Sequence, residues 1–222
     1  MKLRQDPSRW ELVPFESTTW TPSPEPSIER KMLERDGAEV ARATSIVRYA
    51  RGSAFAEHSH ELGEEFVVLA GTFSDEHGSY PALSYVRNPP GSKHRPFSVD
   101  GCTIFVKLRQ FELADTRRCV IPLARASDTL AVRSTATLLH GFGSERVSLL
   151  QLGRGASWTL DFDERGSELF VLSGELSVGT QPCSAWTWLR APGIVPPLHS
   201  ASGAIVWLKQ GHLPSAQAPL TA

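Results

Sequence analysis

Short runs of β-branched and aromatic residues recur along the chain after residue 37. Four such runs come before residue 110, at residues 38–50, 64–70, 83–86 and 102–108. Clusters of Gly, Pro, Asn and Asp separate the runs, and the same alternation recurs from residue 131 to residue 210. This pattern is typical of short antiparallel strands joined by turns, so we predict an all-β protein.

The first 36 residues do not follow this pattern. Residues 21–27 contain three prolines in seven positions, which is typical of an extended segment. In residues 27–36, Ile28, Met32 and Leu33 stand among charged residues, and Gly37 follows. This spacing fits either one short helix or a charged lead-in to the first strand. We interpret residues 1–36 as a short N-terminal arm.

A repeat of about 100 residues divides the remainder of the chain. Residues 63–74 align with residues 166–177 at an offset of 103, and six of the twelve positions are identical. Two further matches follow in the same order: residues 87–91 with 190–193, and residues 106–110 with 206–210. Two copies of one domain explain this order better than chance does.

The repeat sets the domain boundaries that we expect. They are a first domain at residues 37–112, a connector at 113–130 and a second domain at 131–222. Residues 119–123 of the connector read as an edge strand.

Composition and charge exclude several classes of protein. Hydrophobic residues are 41% and charged residues 21% of the chain, which argues against a disordered chain. The net charge is −1, so a nucleic-acid partner is not expected. The three cysteines form no C-x-x-C pair, which favours a reducing compartment. No apolar run has the length of a membrane span, and the N-terminus has no apolar core of a secretory signal, so we expect a cytoplasmic protein without a membrane partner.

The candidate chemistry lies in the first copy of the repeat. His58 and His60 are two residues apart, which places both imidazoles on one face of a strand, about 7 Å apart along the chain. Glu64 has the same parity and can face the same way if a tight turn forms at residues 61–63. His94 follows a proline-rich turn. Three imidazoles and a carboxylate are a complete ligand set for one divalent transition metal.

These residues resemble the motifs of the cupin family. Gly52-x5-His58-x-His60-x3-Glu64-x6-Gly71 is similar to the first cupin motif, and Pro89-x-Gly91-x2-His94 to the core of the second. Residues 63–110, with the turns SDEHG and RNPPGS, more closely resemble the cupin domain of ChrR-like anti-sigma factors. The resemblance implies two tandem jelly-roll β-barrels with metal ligands His58, His60, Glu64 and His94. Zinc is the metal it implies, and iron(II) is the alternative.

The chain departs from that family in two ways. ChrR-like proteins carry an N-terminal helical zinc domain with a His-x3-Cys-x2-Cys pattern, whereas residues 1–36 contain no Cys and no His. Sigma-factor binding is therefore not expected. In the second copy the ligand positions hold Asp161, Asp163, Ser167 and Pro196. We interpret this copy as a degenerate cupin domain whose aspartates are solvated, the alternative being a site for a hard cation.

Several other residues are expected to have structural rather than functional roles. Glu65 has the opposite parity to Glu64 and is expected to face outward. Cys102 is expected to be a buried apolar residue rather than a redox-sensing thiol. The remaining histidines are expected on the surface or in loops: His77, His140, His199 and His212.

Two functions of different classes follow. The first is a metal-binding ChrR-like protein with a regulatory role in sensing oxidative stress, in which loss of the metal changes the shape of the barrel. The alternative is an enzyme, an iron(II)-dependent cupin dioxygenase acting on a small ketone or enolisable substrate bound in the first barrel. We expect a homodimer in either case, because small barrels bury exposed sheet edges against a second copy.

Overall fold

The computed structural model describes residues 1–38, 40–123 and 134–214. These residues form two compact units. The first domain consists of Met1–Gln5 and Thr18–Leu123, and the second of Asp6–Ser17 with residues 134–214. Across the described residues, every regular element is a β-strand except one 3-10 turn at Phe15–Ser17. The all-β prediction is confirmed.

The strands are short, and most are joined by turns. In chain order they are β1 (Lys2–Leu3), β2 (Glu11–Val13), β3 (Thr21–Pro22), β4 (Ile28–Gly37), β5 (Ala41–Tyr49), β6 (Ser53–Ala54), β7 (His58–His60), β8 (Glu64–Asp75), β9 (Gly78–Pro81), β10 (Ser84–Asn88), β11 (Ser92–His94), β12 (Phe97–Ser98), β13 (Cys102–Leu108), β14 (Cys119–Pro122), β15 (Thr135–Phe142), β16 (Glu145–Leu152), β17 (Ala156–Trp158), β18 (Ser167–Val178), β19 (Gln181–Ser184), β20 (Trp188–Ala191), β21 (Leu198–Ser200) and β22 (Ala204–Gln210).

The first domain is built on a main antiparallel sheet in the order β1-β4-β5-β13-β8-β10-β14. Strands β6, β9 and β12 pair with one another or with β8, and β7 pairs with β11 as a separate two-stranded sheet. Ile28, Phe66, Ile104 and Val106 belong to one buried apolar cluster. Their side chains come from the same face of β4, β8 and β13, so this face lines the interior of the barrel.

The second domain repeats this order. Its main sheet runs β15-β16-β22-β18-β20-β2, which corresponds strand by strand to β4-β5-β13-β8-β10 and then ends on β2. Leu150, Leu169, Val171 and Val206 are members of its own buried apolar cluster. Each domain therefore has a separate core, as expected for two copies of one fold.

A close backbone crossing recurs in both domains. Gly71 on β8 has a φ of +72°, and a Cβ built there would clash with the carbonyl oxygen of Gly101. Gly174 on β18 has a φ of +76°, and a Cβ there would clash with the carbonyl oxygen of Gly203. Only glycine combines a left-handed φ with such an approach, which explains why both glycines occur at the same place in the repeat.

The prediction of a short helix in residues 27–36 was wrong. These residues form β4, which pairs with β5 along its whole length. Ile28 and Leu33 are buried, and a bulge between Met32 and Glu34 shifts the register. Pairing with β5 satisfies the backbone hydrogen-bonding groups of every other residue. This stabilises the strand more than the helical spacing of three apolar residues would stabilise a helix.

The arm and the connector also contain strands. Residues 11–13 form β2, which pairs with β20 in the second domain. Residues 119–122 form β14 at the edge of the first domain's sheet, as predicted. Residues 124–130 of the expected connector lie outside the described residues.

The outward position of Glu65 was also predicted incorrectly. Glu65 is 1% exposed and forms an ion pair with Arg87, Nη1 to Oε2 at 2.8 Å. Arg87 reaches Asp115 through its other terminal nitrogen at 2.7 Å, and Tyr85 donates its hydroxyl to Glu65. Glu65 does have the opposite parity to Glu64, but its face of the sheet is buried too. Such a charged group is tolerated in the interior only when it is paired and hydrogen-bonded.

None of the described residues belongs to a helix with the length and apolar character that a membrane span requires.

The close backbone approach at Gly71 predicts that alanine is more destabilising at Gly71 than at Gly52, although the two glycines have nearly equal φ. Gly52 has a φ of +74°, and a Cβ added to it would meet no other heavy atom within 4 Å, so Gly52→Ala measures the backbone strain alone. We expect a loss of about 1–2 kcal/mol in the free energy of unfolding for Gly52→Ala. Gly71→Ala adds a backbone clash, and we expect roughly 2–5 kcal/mol. Chemical denaturation of both variants tests this, and equal losses would contradict the crossing.

Candidate metal centre

The three histidines of the predicted site converge in the first domain. His58 and His60 lie on β7, and His94 lies on β11, where it pairs across the strands with His58. The ring centroids of the three pairs are 4.9–5.0 Å apart. One ring nitrogen from each histidine lies within 4.8 Å of the other two, an arrangement that can hold a metal ion.

Glu64 completes the cluster through the turn predicted at residues 61–63. The backbone N–H of Gly63 donates to the carbonyl of His60, which closes the turn before β8 begins. The Glu64 Oε2 atom lies 3.4 Å from His60 Nε2 and 3.6 Å from His94 Nε2. The two histidine Nε2 atoms are 3.0 Å apart. Atoms that share a metal at about 2.1 Å lie roughly 3 Å apart, so these spacings fit one ion.

The cluster is buried on one side and open on the other. His60, Glu64 and His94 are 8%, 6% and 2% exposed, while His58 is the most accessible of the four. His58 directs its Nδ1 to the carbonyl of Ala56 at 3.0 Å, which leaves Nε2 for the cluster. A metal here would be held from inside the barrel and approached from the side of His58.

Two further residues hold the candidate ligands in place. Asp75 Oδ2 lies 3.2 Å from Nδ1 of His94, and Tyr80 donates its hydroxyl to the other oxygen of Asp75 at 3.0 Å. Asn88 donates to Glu64 Oε2 at 3.0 Å. A carboxylate behind a ligating histidine fixes the ring orientation and makes the ligand more basic.

Burial and charge act differently on the histidines. Burial lowers the pKa of His60, and the neighbouring Glu64 only partly opposes it. Burial alone would also lower the pKa of His94, but the hydrogen bond to Asp75 and the charge of Glu64 outweigh it, so this pKa is raised. The carboxylates of Asp75 and Glu64 therefore make the imidazole of His94 more basic than that of His60. A more basic imidazole is a stronger ligand for a cation.

Sequence reasoning did not assign Asp75 or Asn88 to the site. Asp75 is in the SDEHG turn that carried the family resemblance, but its contact with His94 spans 19 residues. Asn88 meets Glu64 because β10 pairs with β8 in that register. Neither contact has a spacing signal along the chain.

The corresponding region of the second domain is built differently. Asp161 and Asp163 lie outside the strands, and Asp161 is exposed. Asp163 accepts hydrogen bonds from the backbone of Arg165 and Gly166, as expected of a turn residue. In the described part of this domain, no strand pair corresponds to β7 and β11.

Two histidines placed on the surface or in loops are in fact buried. His140 lies on β15 and is 2% exposed, so its prediction was wrong. His212 lies in a loop, but its side chain is buried and pairs with Glu168 at 2.9 Å. The buried position of Cys102 is confirmed, and burial raises the pKa of its thiol to about 11, which is unfavourable for a redox sensor.

Comparison with known protein families finds one matching family model. Residues 9–112 match the family model of the ChrR cupin-like domain. No curated protein matches the chain.

Solved structures share the fold at low sequence identity. A putative dioxygenase from Nostoc punctiforme has a TM-score of 0.73 at 13% identity, covering 97% of this chain and 86% of that chain. The bacterial pirin YhhW from Escherichia coli, in complex with nickel(II), has a TM-score of 0.73 at 14% identity, covering 93% and 100%. Oxalate decarboxylase from Bacillus subtilis has a TM-score of 0.61 at 10% identity, covering 91% and 77%.

Three observations lead to one assignment of the fold. They are the strand order in both domains, the motif residues gathered in the first domain and the similarity to solved cupin structures. The chain has the cupin fold, built as two tandem jelly-roll domains, and its residues 9–112 match the model of the ChrR cupin-like domain.

Proposed function

We propose that the first domain binds one divalent transition metal through His58, His60, Glu64 and His94, and that the chain is a metal-dependent dioxygenase. Its substrate class is a small ketone or another enolisable molecule. The observation that carries this proposal is a cavity of about 450 Å³ that His58, His60 and Glu64 line together with apolar residues. Structural metal sites are closed, whereas catalytic sites keep positions open to a small molecule.

The chain's own residues support this assignment. Asp75 and Asn88 orient the ligands, so the metal geometry does not depend on the substrate. Val47, Ile104 and Val106 line the cavity and exclude water from one side of a bound molecule. A bound iron(II) ion would supply the electron-transfer chemistry with dioxygen that these side chains lack.

The match to the ChrR cupin-like domain favours a second candidate, a regulatory protein that senses oxidative stress. In that case zinc would stabilise the first barrel, and oxidative loss of a ligand would change its shape. The expected homodimer remains a prediction for both candidates.

Metal content and oxygen uptake separate the two candidates. The chain is purified without oxygen after growth with iron and zinc both supplied, and the metals are measured. We expect about one iron per chain, and dioxygen consumption when acetylacetone is added as an enolisable probe. The zinc-reconstituted chain is the control without redox chemistry. A chain that holds zinc alone, and that consumes no dioxygen after loading with iron, would favour the regulatory candidate.

The ligand assignment predicts the effect of His60→Ala. Loss of this buried imidazole should empty the site and lower the melting temperature of the metal-loaded chain, because metal affinity adds to the stability of the folded state. Asp161→Ala, at the corresponding position of the second repeat, is the matched control and should change neither value. Equal metal content in the wild type and His60→Ala would refute the assignment.

Asp75→Asn tests the residue behind His94. The amide keeps the shape of the side chain but removes its charge, so the metal affinity should fall by about 10- to 100-fold with the site otherwise intact. Competition with a chromogenic chelator measures the change. Asp100→Asn is the control, because Asp100 is exposed and pairs with Arg51 outside the cluster. An unchanged affinity in Asp75→Asn would show that the contact with His94 is not functional.

A further inference from the structure

Three arginines line the cavity beside the candidate metal centre, and one of them, Arg109, pairs with Glu61. The other two, Arg30 and Arg35, both come from β4. Neither belongs to the cupin motifs. Their presence in a largely apolar barrel interior therefore needs its own explanation.

The strand register places both arginines on the face that lines the barrel. Arg35 pairs with Ala43, Ala43 with Leu108, and Leu108 with Glu64. Residues paired directly across strands share a face, so Arg35 and Glu64 stand on the same side of the sheet. They are separated by three strand spacings, about 14 Å between Cα atoms.

Arg30 lies in a parallel row on the same face. It pairs with Val47, which pairs with Ile104 of the apolar cluster. One end of the cavity is therefore formed by the metal ligands and the other by guanidinium groups of β4, with apolar side chains between them.

The hydrogen-bonding state of Arg30 points to a ligand. Its Nε atom is buried and has no hydrogen-bond partner within residues 1–38, 40–123 and 134–214. Arg35 differs, since its guanidinium donates to the carbonyl of Ala38. A buried guanidinium donor is costly to leave unsatisfied, and a carboxylate accepts from guanidinium nitrogens in pairs.

The acidic residues that line the cavity do not neutralise Arg30. Glu61 accepts from Arg109 at 2.8 Å, and Glu57 pairs with Lys93 at 3.5 Å. Glu25 also lines the cavity, but no ion pair joins it to Arg30 in the described part of the chain. The charge of Arg30 is thus available to an anion that enters the barrel.

We propose that Arg30 binds the carboxylate of an anionic substrate, whose ketone oxygens face the metal centre and whose apolar middle lies on Val47 and Ile104. The substrate class is then a keto acid or diketo acid in which the carboxylate and the ketone are at opposite ends. This inference rests on the proposed function and specifies its substrate.

The test compares two probes that differ only in charge. Succinylacetone is a β-diketone with a terminal carboxylate, and the neutral probe is the diketone of the same chain length that ends in a methyl group. Binding to the zinc-loaded full chain is measured by calorimetry, because zinc supports no turnover with dioxygen. We expect succinylacetone to bind at least about tenfold more tightly than the neutral diketone, since a charged hydrogen bond of this kind contributes that much.

Arg30→Met removes the guanidinium and keeps an unbranched side chain. It should lower the affinity for succinylacetone by at least about tenfold and leave the affinity for the neutral diketone unchanged. Arg48→Met is the matched control. Arg48 lies on the adjacent strand, pairs with Glu29 and stacks on Trp20, and is half exposed. It should bind both probes as the wild type does.

The outcomes separate this inference from the proposed function. Equal binding of both probes by the wild type, or an unchanged preference in Arg30→Met, would overturn the anion site while the metal site stands. A chain that binds no metal refutes the proposed function by the separate metal analysis. In the metal-free chain, weaker binding of succinylacetone that still depends on Arg30 would support the anion site independently of the metal.

Discussion

The first domain depends on a single requirement, that polar groups brought together in its interior must be satisfied. Three imidazole nitrogens lie within 4.8 Å of one another, with the carboxylate of Glu64 beside them. Removing these groups from water is costly unless they find partners. Asp75 and Asn88 satisfy the outer sides of His94 and Glu64, so the inner sides are left facing a common point. A divalent cation is the partner that this arrangement accommodates.

The two domains show how a site is separated from its scaffold. Both have the same order of central strands, and both cross two backbones at a glycine of positive φ. These features hold the barrel together and were retained in both copies. The pair β7 and β11, which carries all three histidines, occurs in the first domain but has no equivalent in the described part of the second. The fold is therefore compatible with a metal centre but does not require one.

The cavity of the first domain connects two kinds of chemistry. Its metal-facing end offers nitrogen and carboxylate ligands, and its β4 end offers guanidinium groups. An apolar wall between them weakens solvent screening, so a charge at either end acts more strongly on a bound molecule than it would in water. A small molecule with a polar group at each end and an apolar centre complements this distribution. The cavity is lined by His58, the most accessible of the candidate ligands, so a bound metal would meet a small molecule from that side.

Local features of the chain were sufficient for the fold class, the repeat and the four candidate ligands. Strand alternation, turn residues and the spacing of His58, His60 and Glu64 act over a few residues, and the pairing of His94 with His58 confirms that the two motifs meet. The position of β4 was ambiguous because three apolar residues fit a helix or a strand, and only pairing with β5 distinguished them.

Contacts between distant strands could not be inferred in this way. Glu65 is buried because Arg87 and Asp115 meet it from other elements, and Asp75 reaches His94 across a separation of 19 residues. Arg30 faces the cavity because of its register with Val47, and the bulge between Met32 and Glu34 brings Arg35 to the same face. Whether a segment forms a strand depends mainly on its own residues. The environment of each side chain depends on which strands pair and in what register, and this pairing is determined only in the closed barrel.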